Sequence, residues 1–234
     1  MVYDGYAAPM HFSTLVGCWT DSMKDDELWF PDGDCFIHLY ARGNSKRGPS
    51  FRLPYAALKD ESCDSMFDAC YCQSSAETPY SASATSAEGY FSAPPTADRH
   101  ELFIPAPEDS MREEAFLWHL TTRNFFAFLF GRPLVGSHLG KSLVALHERL
   151  SIFRAGSSHN HDDFMAYLEE MGYLDFAHCP DYALAALYYA EYYGLHELWV
   201  DAFAHCVGMN DDLSASKEFE VRYTLLPTQD RSKY

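Results

Sequence analysis

Basic side chains are scarce. Lysine and arginine number 17 against 34 aspartates and glutamates, a formal net charge of −17. Such a surface repels phosphate backbones and anionic lipid, so neither nucleic acid nor a membrane is an expected partner. Long apolar runs are missing too: no stretch of about 18 residues is apolar enough to span a bilayer. The opening MVYDGYAAPMHFSTLVGCWT has neither a basic n-region nor a sustained apolar core, and no secretory signal is expected there. No Asn-x-Ser/Thr sequon occurs, and the seven cysteines are scattered without regular spacing. These absences predict reduced thiols and an intracellular setting, cytoplasm or nucleus.

Catalytic signatures are also lacking. Gly136-Ser137-His138 has no second glycine in register for a nucleophile elbow, and Ser137 reads as a helix N-cap. The Gly43 to Gly48 loop has no phosphate-loop lysine pattern. His159, His161, Asp162 and Asp163 are dense in ligand atoms, but neighbours at a helix start seldom converge, and first-turn acids suit the helix dipole. Cys70-x-Cys72 with Cys63 nearby, His178-Cys179 and His205-Cys206 lack the spacing of paired zinc ligands. No catalytic, cofactor or metal residue is therefore assigned.

What remains is apolar and aromatic. Hydrophobic residues make up 47% and aromatics 16%, enough for a buried core. Residues 1–33 form a mixed N-terminal segment, with a short edge strand expected over Phe12 to Trp19 and an apolar knot at Leu28-Trp29-Phe30. Cys35 to Tyr40 alternates like a strand, with Cys35, Ile37 and Leu39 on one face, and Phe51-Arg52-Leu53 is its hairpin return. Short helices are expected from Tyr55 to about Leu58 and from Ser62 to about Cys70. Residues 73–99, rich in Ser, Ala, Thr and Pro, read as a flexible insertion. A strand follows at Glu101 to Ile104.

The strongest periodicity lies in 111–153. Ser110 with Glu113 forms a predicted capping box. Met111, Ala115, Trp118, Phe125 and Leu129 then recur near one helical face, widened by Leu117 and Phe126, leaving Arg112, Glu113, Arg123 and Asn124 as the polar remainder. Gly131 and Pro133 end that helix. Leu139, Leu143, Leu146, Leu150 and Phe153 form a second stripe. Further helices are predicted over 162–171, with Phe164, Leu168 and Met171 inward, over 181–193, and over 195–207, which carries Leu195, Leu198, Trp199, Ala202, Phe203 and Cys206. Residues 209–234 read as a tail, with one strand expected over Val221 to Leu226.

This order is α+β, a small sheet with a helical bundle and extra C-terminal helices. Phe51 to Leu58, Phe126 to Gly131 and Leu139 to Leu150 carry a resemblance. In turn they match a strand pair followed by a helix with an inward leucine, a helix ending in an F-L-Y-T-G-like segment, and an L-x-x-L-x-x-L helix. In these the chain resembles the BTB/POZ domain, which implies one such domain over 34–208 and adaptor work or a homodimer, with the strand near Phe12 to Trp19 as one contact. Arg123 to Ala127, Pro133 to Gly136, Leu146 to Leu150 and Ala204 to Met209 are also similar to a family of uncharacterised fungal proteins.

Two surfaces are candidates for binding a protein partner. Tyr182, Tyr189 and Tyr193 share one face of their helix, an aromatic stripe of the kind interfaces enrich, although a helix packed on two sides accounts for it equally. Arg42, Lys46, Arg47 and Arg52 make a basic island suited to an acidic peptide, or else a solvated hairpin tip. The function expected is a non-catalytic protein–protein interaction module. The alternative is an enzyme or small-ligand-binding protein whose site gathers His147, His178, His205 or a cysteine.

Overall fold

The computed structural model describes residues 19–21, 24–44, 47–60, 62–74 and 99–219. They fold as α+β in two compact units. Residues 20–119 with 153–156 make a sheet unit, and 120–152 with 157–219 make a helical unit. The boundary between the units falls between His119 and Leu120, within the helix Arg112–Leu129.

In the sheet unit, β1 (Cys35–His38) and β2 (Phe51–Leu53) form the expected antiparallel pair, Cys35 opposite Leu53 and Ile37 opposite Phe51. Alternation sets the faces: Cys35, Ile37, Phe51 and Leu53 are buried, while Phe36, His38 and Arg52 are half-buried. α1 (Tyr55–Asp60) buries Leu58, and α2 (Asp64–Ala69) presents Met66 to the core. β4 (His100–Phe103) lies parallel to β1, and β3 (Tyr71–Ser74) pairs antiparallel with β4, giving the order β2-β1-β4-β3. β3 was not expected; it takes in the first residues of the 73–99 insertion, the rest of which, to 98, lies outside the described residues. Leu28 to Phe30 runs along β2: the Arg52 amide donates to the Leu28 carbonyl at 2.9 Å, and the Phe30 amide to the Arg52 carbonyl at 2.8 Å. The expected strand over 12–19 lies outside the described residues except for Trp19, which is not in a strand.

α3 (Arg112–Leu129) starts one residue later than its predicted cap. The Met111 amide donates to the Glu114 carboxylate at 2.9 Å, so Glu114 rather than Glu113 reaches back to the helix start, and Met111, with no side-chain oxygen, does not return the bond. Its inward face also differs. Met111 is 71% and Leu117 56% exposed, while His119, Thr122, Arg123 and Asn124 are buried with Phe125 to Phe128. Polar groups take the inner positions because each has a partner there: His119 Nδ1 meets the Asp21 carboxylate at 2.9 Å, and Thr122 accepts from Arg149 at 2.6 Å.

Of the expected polar remainder, Arg112 and Glu113 are exposed, while Arg123 and Asn124 close the helix break. Gly131 takes φ +57°, a left-handed position that ends α3, and the Arg132 amide returns to the Ala127 carbonyl at 2.8 Å. The chain then passes inward, burying Leu134 and Val135. Buried backbone outside regular structure must find other partners, and side chains supply them. Asn124 Nδ2 donates to the Val135 carbonyl at 2.7 Å, and its Oδ1 accepts the Val135 amide at 2.9 Å. Arg123 donates to the Pro133 carbonyl, the Tyr173 hydroxyl accepts the Leu134 amide at 2.8 Å, and the Tyr167 hydroxyl donates to the Arg132 carbonyl at 2.7 Å.

α4 (Leu139–Phe153) buries its whole predicted stripe of Leu139, Leu143, Leu146, Leu150 and Phe153. α5 (Asn160–Glu170) turns Phe164 and Leu168 inward as expected. α6 (Pro180–Tyr193) ends on Gly194 at φ +68°, and α7 (His196–Gly208) packs against it. The tail predicted from 209 is shorter than expected. α8 (Asn210–Leu213) follows α7, and Ser216 and Glu218 are buried. Glu218 does what was expected of Ser137: its two carboxylate oxygens accept the Leu139 amide at 2.5 Å and the Gly140 amide at 3.1 Å, at the start of α4. Residues 220–234, with the strand expected there, lie outside the described residues.

Two outcomes follow from these bonds. Asn124→Ala leaves a buried amide and a buried carbonyl without partners, a loss of about 2–4 kcal/mol in urea unfolding; a loss below about 0.5 kcal/mol would show that the bracket is not needed. Burial raises the Glu218 carboxyl from its ordinary 4.5 to about 7, against the Gly140 and Leu139 amides, which act the other way. A group raised on folding stabilises fully below its unfolded pKa, and that contribution is lost as pH rises through the folded one. Between pH about 4.5 and about 7 the protein is therefore expected to lose stability relative to Glu218→Gln, which cannot ionise. Parallel pH profiles of the two proteins would contradict this.

Candidate protein-interaction surface

Two of the three stripe tyrosines are core, and Tyr193 is half-buried. Tyr182 is 2% and Tyr189 0% exposed, so these two pack inside the helical unit, as the two-sided reading of their helix required. α6 buries Tyr182 to Leu187, Tyr189 and Ala190, so most of its circumference faces protein. The Tyr189 hydroxyl lies 2.6 Å from His147 Nδ1, and Tyr193 sets its ring 4.5 Å from that imidazole. Burial, helped by His161, holds His147 below its ordinary pKa, and burial raises both tyrosines. Of this group Tyr192 is the one left well exposed, and its hydroxyl donates to Glu148 at 2.8 Å.

The arginine pair lies in the sheet unit. Arg42 and Arg47 are exposed, and Lys46 lies outside the described residues. Arg47 donates to the Tyr40 hydroxyl at 2.6 Å with its guanidinium over the Tyr40 ring, and Tyr40 donates in turn to Asp21. Burial alone would raise the Asp21 carboxyl; hydrogen bonds from His119 and Tyr40 outweigh it and hold it low. Arg52 spans Gly33, at 2.7 Å from its carbonyl, and the Phe36 ring. Of the predicted island, Arg47 and Arg52 are thus drawn into local contacts of the sheet unit.

Among the described residues no three His, Cys, Asp or Glu side chains gather as a metal shell. Asp162 and Asp163 sit in the first turn of α5. Cys63 and Cys206 are buried, and burial pushes the Cys179 thiol up, away from the reactive thiolate. Of the residues that would build a catalytic or ligand pocket, His178 and His205 line one groove of about 470 Å³, with Asp201. His178 holds φ +60°, unusual for a side chain larger than glycine.

A surface that the sequence reading missed runs along α7. Ala202 and Cys206 anchor this helix inward. On its outer side Val200, Phe203 and Val207 are 47%, 41% and 60% exposed, and Ala204 is exposed between them. These four fall at i, i+3, i+4 and i+7, the spacing of one helical stripe. Phe203 stacks on Trp199 with ring centres 4.9 Å apart, which fixes its ring. Glu197 and Asp201, both exposed, border the stripe. A groove of about 700 Å³ lies beside it, floored by Met165 and Leu198 and rimmed by Glu169, Glu197 and Asp201. The signal was present: beyond its inward residues α7 carries a second apolar stripe, a pattern that belongs to a helix packed on two sides or docked by a partner.

Residues 161–225 match a family described as a domain of unknown function (DUF8004). No curated protein and no solved structure matches the chain. The matched segment contains α6, α7 and α8. Among the described residues no helix is long and apolar enough to cross a membrane.

Core and surface residues are separable by stability. Tyr189→Ser is expected to cost about 3–5 kcal/mol in chemical unfolding, while Val207→Ser changes it by no more than about 0.5 kcal/mol. Similar losses for both would place Val207 in packing and remove the exposed stripe.

Proposed function

We propose that the chain is a protein–protein interaction module without catalytic activity, an adaptor working through the outer face of α7. The stripe of Val200, Phe203, Ala204 and Val207 carries this reading. Water contact with such a stripe costs free energy, about 25 cal/mol for each Å² of apolar surface left uncovered. A rigid aromatic within an exposed apolar patch is the usual anchor of a protein interface.

For the sheet unit the proposed kinship is with BTB/POZ domains. The antiparallel pair β1–β2 followed by α1 with its buried Leu58 supports it. From the helical unit, the Phe126 to Gly131 helix end and the buried leucine stripe of α4 support it too. That kinship also suggests a homodimer, with the segment Phe12 to Trp19 at its contact. The same proposal places the chain among uncharacterised fungal proteins and sets its work in the cytoplasm or nucleus. A small-ligand site is the second reading; it is favoured by the groove that His178 and His205 share.

Comparative affinity capture tests the first reading. The unaltered protein is expected to recover a stoichiometric partner that Phe203→Asp loses, with both baits equally folded by circular dichroism. Equal recovery by the two baits would move the working surface elsewhere.

A further inference from the structure

Charge says what covers the α7 face. Between Arg154 and Lys217 the sequence has no lysine or arginine at all, while Asp162, Asp163, Glu169, Glu170, Asp175, Asp181, Glu191, Glu197, Asp201, Asp211 and Asp212 all fall there. The stripe and its groove lie wholly inside this interval. Glu197 and Asp201 stand one turn apart along the stripe's edge, and Glu169 lies across the groove. None of these three meets a lysine or arginine in an ion pair among the described residues, and Asp201 lies 3.9 Å from His205.

We infer that the α7 face receives a basic amphipathic helix of another protein, one with apolar residues at i, i+3, i+4 and i+7 and lysine or arginine along the flank that meets Glu197, Asp201 and Glu169. The inference rests on the interaction reading above and adds the partner's chemistry. A helix is the fitting shape because the stripe follows the α7 axis and the groove opens beside the first turns of that helix, so a second helix laid along the stripe buries its apolar side. Lysine or arginine is the fitting charge because Glu169, Glu197 and Asp201 line the groove beside the stripe, and their carboxylates set up a negative field there. That field speeds encounter with cations and turns away acidic partners. A second copy of this chain is disfavoured on the same ground, since a twofold contact through α7 brings each acidic edge against its twin.

The test uses the full chain and two synthetic helical peptides. Both carry leucine at i, i+3, i+4 and i+7; one has lysine along the flank and the other glutamate. The lysine peptide is expected to bind in calorimetry, and raising salt from about 0.05 M to about 0.5 M is expected to weaken it at least tenfold. The glutamate peptide is expected to bind at least about tenfold more weakly than the lysine peptide. Glu197→Lys with Asp201→Lys should reverse the preference, and Val207→Asp should abolish binding of both. Equal binding of the two peptides, with loss in Val207→Asp, would overturn the charge inference and leave apolar docking standing. Failure of both to bind, or binding indifferent to Val207, would overturn docking at α7 as well. Two other occupants would also overturn the inference. A dimer in light scattering that Val207→Asp dissolves would identify a second copy. Carbodiimide coupling of Lys233 to Glu197 or Asp201 within the monomer would identify the chain's own C-terminal segment.

Discussion

The helical unit depends on a loop that has to be buried without secondary structure. Residues 132–135 carry the chain from the end of α3 toward α4 with Leu134 and Val135 wholly or almost wholly out of water. An unpaired buried amide or carbonyl costs about 1–3 kcal/mol, so several of them would undo the packing they enter. Asn124 meets both backbone groups of Val135, and Arg123, Tyr167 and Tyr173 meet the groups on the preceding three residues. The loop is therefore a junction of three segments: α3 contributes the amide and the guanidinium, α5 one phenol, and the turn after α5 the other.

The remaining helices of the unit can be followed outward from this junction. The α4 leucines pack inward, and the amides at that helix's start are held from the far end of the described chain by Glu218. α6 is buried on most sides, with Tyr189 tied to His147. α7 packs on α6, buries Ala202 and Cys206, and presents Val200, Phe203 and Val207 to solvent. A working surface is best made from a side chain whose support is rigid. Phe203 has that support through Trp199 and the packed side of its own helix.

Local signals were legible in the sequence. Alternation over Cys35 to Leu39 and at Phe51 and Leu53 marked the hairpin faces, the α4 stripe was buried residue for residue, and Gly131 and Gly194 marked helix ends. Signals that depend on distant partners were not. Arg123 and Asn124 looked like a solvated remainder because periodicity sorts residues by polarity and cannot see that a buried loop needs donors and acceptors. Tyr182 and Tyr189 looked like a face because a helix buried on several sides has no single moment. Glu218 stands 79 residues from the amide it caps, beyond any local pattern. β3 adjoins a Ser/Ala/Pro-rich run whose composition concealed it. The α7 surface was half legible: leftover apolar positions on a helix already supplied with an inward face, inside an interval without a single lysine or arginine, pointed to it.

The central claim is that the outer face of α7 is where another protein binds. Photo-crosslinking from that face tests it most directly, with a benzophenone side chain placed at Val207 and, as a control, at Ile152, which is also exposed and apolar but lies on α4. The account predicts one dominant adduct from position 207, its attached peptide carrying lysine or arginine beside apolar residues, and no such adduct from position 152. The same adducts from both positions, or none from 207 in cells where the protein is abundant, would contradict it.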